Sequence, residues 1–326
     1  MAALVTTAAA VVGVPFAGAA ETSLTTGVVE VRTHFGSSGV GAATAMVVTP
    51  SGEVLTNNHV IRGATQIRVR VPETGRTYRA RVLGYSVSAD VALLKLRGAS
   101  GLETVTVGNS STVEIGDRVT AVGNAGGTGR LTAKNGTVTG LGLTITVGDG
   151  HGGSARLTRL IKTSADLREG DSGGALLDRA GRVIGMNAAA SVDDRLRSDG
   201  SDGYVIPINR ATLIATQIES GRSSASIHVG ATPFLGISVD RSSALGDAVG
   251  RGVLVAGVKA GSPAAHAGIR AGDTVVSVNG NVVRTYAKLV TRLLRWHPGD
   301  KVRVAWIDDL GGRQAATVTL ANGPPQ

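Results

Sequence analysis

Short runs in which apolar residues alternate with polar ones, or follow one another for a few positions, recur along the first half of this chain. They fall at residues 28–31, 45–48, 67–71, 91–96 and 119–122, separated by clusters of Gly, Asn, Ser and Pro. A further set covers 157–163, 175–177 and 183–186. Successive side chains of a strand point to opposite faces, so such runs predict strands. Many short strands with turn residues between them predict antiparallel sheets closed into barrels or sandwiches. Asp178-Arg179-Ala180-Gly181 has the composition of a hairpin loop between the last two runs.

The period changes over 208–220. There Asn209 is a candidate N-cap, Leu213, Ile214 and Ile218 share a helical face, and Gly221 is a stop signal. The small polar stretch Gly221-Arg222-Ser223-Ser224-Ala225-Ser226 reads as a linker. A second β-rich block with one helical stretch, 286–296, follows, and Gly323-Pro324-Pro325-Gln326 reads as a frayed tail. The chain thus divides into an N-terminal segment, 1–23, a first domain, 24–220, a linker, 221–230, a second domain, 231–322, and the tail, 323–326.

Composition supports this picture. A chain of 326 residues suits two domains, and 42% apolar with 17% charged residues describes a folded protein. The 47 glycines fit a chain with many tight turns. Absence of cysteine excludes disulfides, thiolate metal sites and thiol catalysis. The net charge of +9 raises the question of nucleic acid, but Arg68 and Arg70 alternate with Val69 and Val71, which puts them on the solvated face of a strand. With aromatics at 3%, few rings are available to stack bases. No nucleic-acid partner is expected, and attraction to an anionic cell envelope accounts for the charge.

Residues 1–20 are uncharged, rich in Ala and Val, and end in Ala17-Gly18-Ala19-Ala20, similar to a signal-peptidase site. The chain is read as exported, with this segment a signal peptide or a membrane-anchor remnant. No cofactor or metal is expected: there is no His-Glu-x-x-His word and no carboxylate cluster, and Gly123 to Arg130 lacks the ending of a phosphate loop.

The densest local signal is Gly170-Asp171-Ser172-Gly173-Gly174. A serine hydroxyl attacks well only when a base takes its proton. Flanking glycines let the backbone turn so that amide N–H groups converge on one point, where an oxyanion would be stabilised. His59, in Leu55-Thr56-Asn57-Asn58-His59-Val60, ends an apolar run and is the candidate base. Asp90, in Asp90-Val91-Ala92-Leu93-Leu94, stands at the mouth of an apolar strand, where an acid needs a hydrogen-bond partner such as an imidazole.

In the order His59, Asp90, Ser172, and in the words around them, the chain resembles the HtrA/Deg branch of the chymotrypsin-like proteases. Val122-Gly123-Asn124 and Gly203-Tyr204-Val205-Ile206-Pro207 add to the resemblance, which runs from about residue 27 to 221. It implies a mainly β fold, a chymotrypsin-like double β-barrel with the triad in the cleft between barrels. It implies further that the Gly170 and Ser172 N–H groups form the oxyanion hole. Ala188, Ala189 and Ala190 would pair with the substrate backbone, and Gly203 would lie in the substrate site. Two residues depart from the HtrA pattern. Asp171 replaces the usual Asn, as in trypsin, and is expected to find an internal donor or water. Asp166, six residues before Ser172, stands at the offset where trypsin selects Lys or Arg, and is either an S1 acid favouring basic side chains or a surface-loop acid.

The second block has its own resemblance, to bacterial PDZ domains. Phe234-Leu235-Gly236-Ile237 matches their carboxylate-binding loop, followed by Gly261-Ser262-Pro263-Ala264-Ala265, Ala267-Gly268-Ile269-Arg270-Ala271-Gly272-Asp273 and Val275-Val276-Ser277-Val278-Asn279-Gly280. It implies binding of C-terminal peptides as an added strand, with Leu289 and Leu293 either in the groove or in the core. The combined reading is a serine endopeptidase of unfolded or mislocalised envelope proteins, with a homotrimer implied by the family. The competing reading is a catalytically weak peptide-binding adaptor or chaperone on the same scaffold.

Overall fold

The computed structural model describes residues 23–36, 39–148, 154–188, 203–239 and 252–326. The N-terminal segment and two of the alanines expected at the substrate edge, Ala189 and Ala190, lie outside the described residues. Six strands build the first barrel: β1 (Val28–His34), β2 (Val40–Thr49), β3 (Glu53–Thr56), β4 (Gln66–Arg70), β5 (Thr77–Ser86) and β6 (Val91–Leu96). They run in the order β5-β4-β1-β2-β3-β6, and β6 closes the ring by pairing with β5 as well as β3. A second closed barrel contains β7 (Arg118–Gly123), β8 (Thr132–Gly148), β9 (Ser154–Thr163), β10 (Ala175–Leu177), β11 (Val183–Ala188) and β12 (Gly203–Pro207). The expected hairpin joins β10 to β11, with Asp178 Oδ1 accepting from the Ala180 and Arg182 N–H groups.

Strand periodicity explains where each core lies. Val29, Val31, Ala92, Leu94 and Leu96 fill the first barrel, and Val119, Ala121, Ile161, Leu176 and Val205 fill the second. The alternate residues Val28, Val91 and Leu93 face the other way, into a third cluster between the barrels with Val122, Met186 and Ile206. β6 is therefore buried on both faces, which is why its sequence reads as an unbroken apolar run. The catalytic candidates sit along this seam.

Two details of the helix after β12 differ from expectation. Helix α2 follows α1 (Asn58–Ile61) in chain order, covers Ile208–Glu219 and is N-capped at Pro207. Asn209 does not cap it, because its side chain bonds to Ser110 and Asn109 instead. The buried face is Ile208, Ala211, Ile214, Ala215 and Ile218, and Leu213 lies opposite, 71% exposed.

Beyond α2 the exposed residues 221–226 lead to β13 (His228–Val229), which pairs with Gly84 and Tyr85 at the end of β5 that β4 leaves uncovered. Two residues of the expected linker therefore belong to the first barrel's sheet. The second domain then comprises β14 (Thr232–Phe234), β15 (Ile237–Val239), β16 (Val253–Val258), α3 (Pro263–His266), β17 (Thr274–Val278), β18 (Asn281–Val282), α4 (Tyr286–Leu293), β19 (Lys301–Ile307), β20 (Arg313–Thr319) and β21 (Ala321–Gly323). Val255, Val275, Val304 and Leu289 lie in its core, so Leu289 packs inside rather than lining a groove.

The tail is ordered, contrary to expectation. Gly323 belongs to β21, which pairs with β14. The Gly63 N–H donates to the Pro325 carbonyl (2.7 Å), Asn58 Nδ2 to the Gln326 carbonyl (3.0 Å), and the Gln326 N–H to the Tyr85 hydroxyl (3.3 Å). Prolines bring no N–H to satisfy, and the Gln326 side chain bonds to the Tyr286 hydroxyl and the Pro324 carbonyl. Burial pushes the Tyr85 hydroxyl up to about 12. Tyr85, His228, Tyr286, Val290 and Gln326 line a cavity of about 340 Å³ between the domains.

His228 makes this seam sensitive to pH. Its ring nitrogens lie 2.9 Å from the Leu294 carbonyl and 3.0 Å from that of Ala231. Burial lowers its pKa below the ordinary 6.5, outweighing the two carbonyls, which favour the charged ring. Below 6.5 the unfolded chain binds a proton that the folded chain resists, so stability falls as pH falls and is fully present above that value. Thermal unfolding as a function of pH should show a steeper acid slope in wild type than in His228→Asn. Equal slopes would assign the acid sensitivity elsewhere.

Candidate active site

Each of the three catalytic candidates is delivered by a different local device. α1 carries His59 directly after β3. Asp90 ends the turn before β6 with φ +54°, a left-handed conformation that Asp tolerates better than most residues. The Asn57 side chain donates to the Asp90 carbonyl (3.1 Å) and ties that turn to α1. Ser172 lies in the loop before β10, with the glycines on either side at φ +93° (Gly170) and +82° (Gly173). A Cβ on Gly170 would collide with the Asn124 carbonyl and one on Gly173 with the Thr44 carbonyl, so both conformation and space demand glycine.

Together these devices align the three side chains. His59 Nδ1 lies 2.8 Å from Asp90 Oδ2, and the His59 N–H donates to Asp90 Oδ1, also at 2.8 Å. His59 Nε2 lies 2.9 Å from Ser172 Oγ. Asp90 is 5% exposed and Ser172 6%, while the His59 side chain is 38% exposed, so the imidazole forms the open side of a largely buried chain. A carboxylate gripping both the backbone and the Nδ1 of one histidine fixes the ring with Nε2 turned to the hydroxyl. Such an arrangement takes a proton from the serine as it attacks a carbonyl.

Thr44, which the sequence did not single out, connects the barrels here. Its hydroxyl donates to the Gly170 carbonyl (2.7 Å) and accepts from the Asn124 N–H (2.9 Å), while its N–H donates to the Ser172 carbonyl (2.9 Å). Each such bond contributes roughly 0.5–1.5 kcal/mol net, and together they fix the loop from both ends. Thr44 was visible only as a hydroxyl amid the apolar residues of β2. The Gly170 N–H donates to no acceptor among the described residues, which leaves it available to an oxyanion.

The other expected substrate residues are placed as follows. Ala188 is buried and pairs with Tyr204 at the end of β11. Gly203 opens β12 opposite Thr163, with Leu167 and the Ala165 carbonyl packed over it. Asp166 lies between those two residues, but its carboxylate is gripped by Arg168, with Nε at 2.8 Å and the terminal nitrogen at 2.6 Å, and is 43% exposed. It does not stand as a bare charge awaiting a basic side chain. Asp171 has found its internal donor, Lys134.

In the second domain, Leu235 and Gly236 lie between β14 and β15, and Phe234 and Ile237 end the flanking strands. The Leu235 and Gly236 carbonyls are taken by Ala264, Lys259 and Ser262, while their N–H groups donate to no acceptor among the described residues. Lys259 Nζ lies 5.6 Å from the Phe234 ring centre. No group of three or more His, Asp or Glu that could hold a metal occurs among the described residues.

Comparison with known proteins identifies both domains. Residues 43–186 match the family model of the trypsin-like peptidase domain, and 254–307 match that of the PDZ domain. The periplasmic pH-dependent serine endoprotease DegQ of Escherichia coli (strain K12) is 35% identical over 274 residues, 81% of this chain and 56% of that protein. The periplasmic serine endoprotease DegP of the same strain is 31% identical over 264 residues, 79% of this chain and 52% of that one. The chain spans about half the length of these curated relatives. Among solved structures, the HtrA-type protease AlgW with decapeptide has a TM-score of 0.51 at 25% identity, covering 92% of this chain and 96% of that one. AlgW with tripeptide gives 0.50 at 26%, covering 92% and 95%. A trypsin-like peptidase domain followed by a PDZ domain, with these relatives, places the chain in the HtrA/Deg family.

Proposed function

We propose that the chain is an exported serine endopeptidase that cleaves unfolded or mislocalised envelope proteins through an acyl-enzyme. The observation that carries this reading is the unbroken hydrogen-bond chain Asp90–His59–Ser172, with links of 2.8 and 2.9 Å. Ser172 Oγ attacks the scissile carbonyl while His59 Nε2 takes its proton. That proton then passes to the leaving amine, and water repeats the sequence to release the acyl group. Asp90 holds Nδ1 protonated and stabilises the imidazolium. The Gly170 and Ser172 N–H groups receive the oxyanion, a contribution of roughly a hundred- to a thousandfold per donor. Ala188 begins the edge along which an extended substrate adds as a strand. Around Phe234 to Ile237, free N–H groups receive the carboxylate of a C-terminal peptide.

Specificity follows from Asp166. Because Arg168 already pairs with Oδ2 of its carboxylate, the S1 site favours small aliphatic side chains over basic ones. The test is hydrolysis of casein together with two matched peptides carrying Val or Arg at P1. The expected outcome is casein degradation and a higher kcat/KM for Val. A clear preference for Arg would overturn the specificity, and failure on all three substrates would overturn the function.

A further inference from the structure

Asp171 precedes the nucleophile, and its side chain is only 2% exposed. A carboxylate so deeply placed persists in charged form only with a counter-ion and hydrogen bonds. Among the described residues the cation it pairs with is Lys134, whose ammonium lies 2.9 Å from Oδ2. The Arg168 N–H donates to the same oxygen (3.0 Å), and Oδ1 has no hydrogen-bond partner among the described residues. Oδ1 rests instead against Gly123, where a Cβ would press on it.

Lys134 projects from β8, opposite Ala121 of β7. Its Nζ makes a second bond, to the Asp166 carbonyl at 2.6 Å. One ammonium thus holds both ends of the segment 166–171, the segment that leads into the Gly170 and Ser172 amides. We infer that Lys134 is the positioning residue of the oxyanion hole, an internal cation that holds Asp171 and thereby the loop in its working shape. The chain then needs no cleavage and no newly released amino group to charge-balance this acid. Lys134 itself touches no substrate; it acts through Asp171 on the two N–H groups. The inference rests on the serine-peptidase reading above.

Without the ammonium, Asp171 must take up a proton or turn out of its site, and the turn at Gly170 loses its anchor. Loss of one oxyanion donor lowers kcat roughly a hundred- to a thousandfold. The test compares wild type, Lys134→Met and Lys134→Met/Asp171→Asn in the full chain, since a buried neutral amide needs no counter-ion. Peptide hydrolysis, affinity for a peptide boronate and thermal unfolding are measured for each. Lys134→Met should lose kcat by that factor with KM little changed, and bind the tetrahedral boronate adduct correspondingly more weakly. The double variant should recover most of both losses. A Lys134→Met enzyme with wild-type kcat would overturn the inference. So would a double variant that melts like wild type yet stays as slow as the single one. If the single variant does not fold, the double variant decides alone, and a double variant that melts like wild type yet has lost kcat about a hundredfold or more overturns the inference. A wild type that neither hydrolyses peptides nor binds the boronate would instead overturn the serine-peptidase reading itself.

Discussion

Ser172→Ala should lower peptide hydrolysis about a million-fold while leaving the fold intact. The variant loses the hydroxyl that His59 Nε2 faces at 2.9 Å, and with it the atom placed to form the acyl bond. The loop around it is held by main-chain groups that survive the change, because the Thr44 N–H still donates to the carbonyl of residue 172 and Thr44 Oγ1 to that of Gly170. Melting behaviour should therefore be close to wild type. Some rate above water should remain, roughly a thousandfold or more, from the oxyanion donors and binding alone. Adding His59→Ala to Ser172→Ala should cost almost nothing further, because the two groups act as a unit. Measuring kcat for Ser172→Ala, His59→Ala and the double variant checks both statements, and additive losses would show that the residues act separately.

Asp90→Asn is the second large effect, about ten-thousandfold in kcat. Asparagine accepts the left-handed backbone at this position, φ +54°, and nearly preserves the shape. Its amide is oriented by its neighbours. The His59 N–H donates to Oδ1 at 2.8 Å, so the oxygen of the amide must stay there. The amide NH₂ then faces His59 Nδ1, which becomes an acceptor and leaves the proton on Nε2. A ring in that tautomer cannot take the Ser172 proton. Loss of kcat with little change in KM or in thermal midpoint is the expected pattern, and activity within tenfold of wild type would contradict the role given to Asp90.

Much of this was legible in the sequence because local chemistry announces it. The strands at 28–31, 91–96, 119–122 and 183–186 follow from periodicity, and β1, β6, β7 and β11 form there. His59, Asp90 and Ser172 stood out because each places a polar group where an apolar run or a glycine cluster would otherwise exclude it. Their convergence spans 113 residues between His59 and Ser172, and a local pattern cannot contain a distance of that kind. Order and spacing supplied it only through resemblance.

What stayed hidden depends on partners remote in sequence. Thr44 and Lys134 gain their roles from contacts 126 and 37 residues away, with Gly170 and Asp171. Nothing beside either residue signals that contact. The same reason explains the misread cap. Asn209 has the chemistry of an N-cap, but Ser110 and Asn109, about a hundred residues earlier, take its side chain. The tail looked unstructured because glycine and proline dominate it, yet the Gly63 N–H and the side chains of Asn58 and Tyr85 were waiting on the first barrel. Asp166 occupied the offset of a specificity acid, and only the structure shows Arg168 closing on it.

The central claim is that Ser172 is a nucleophile activated by His59 and Asp90. Fluorophosphonate labelling of the full chain, with the adduct mapped by mass spectrometry, tests it most directly. One equivalent on Ser172 in wild type, none in Ser172→Ala and much slower labelling in Asp90→Asn is the predicted result. An unlabelled wild type, or an adduct on any other residue, would contradict it.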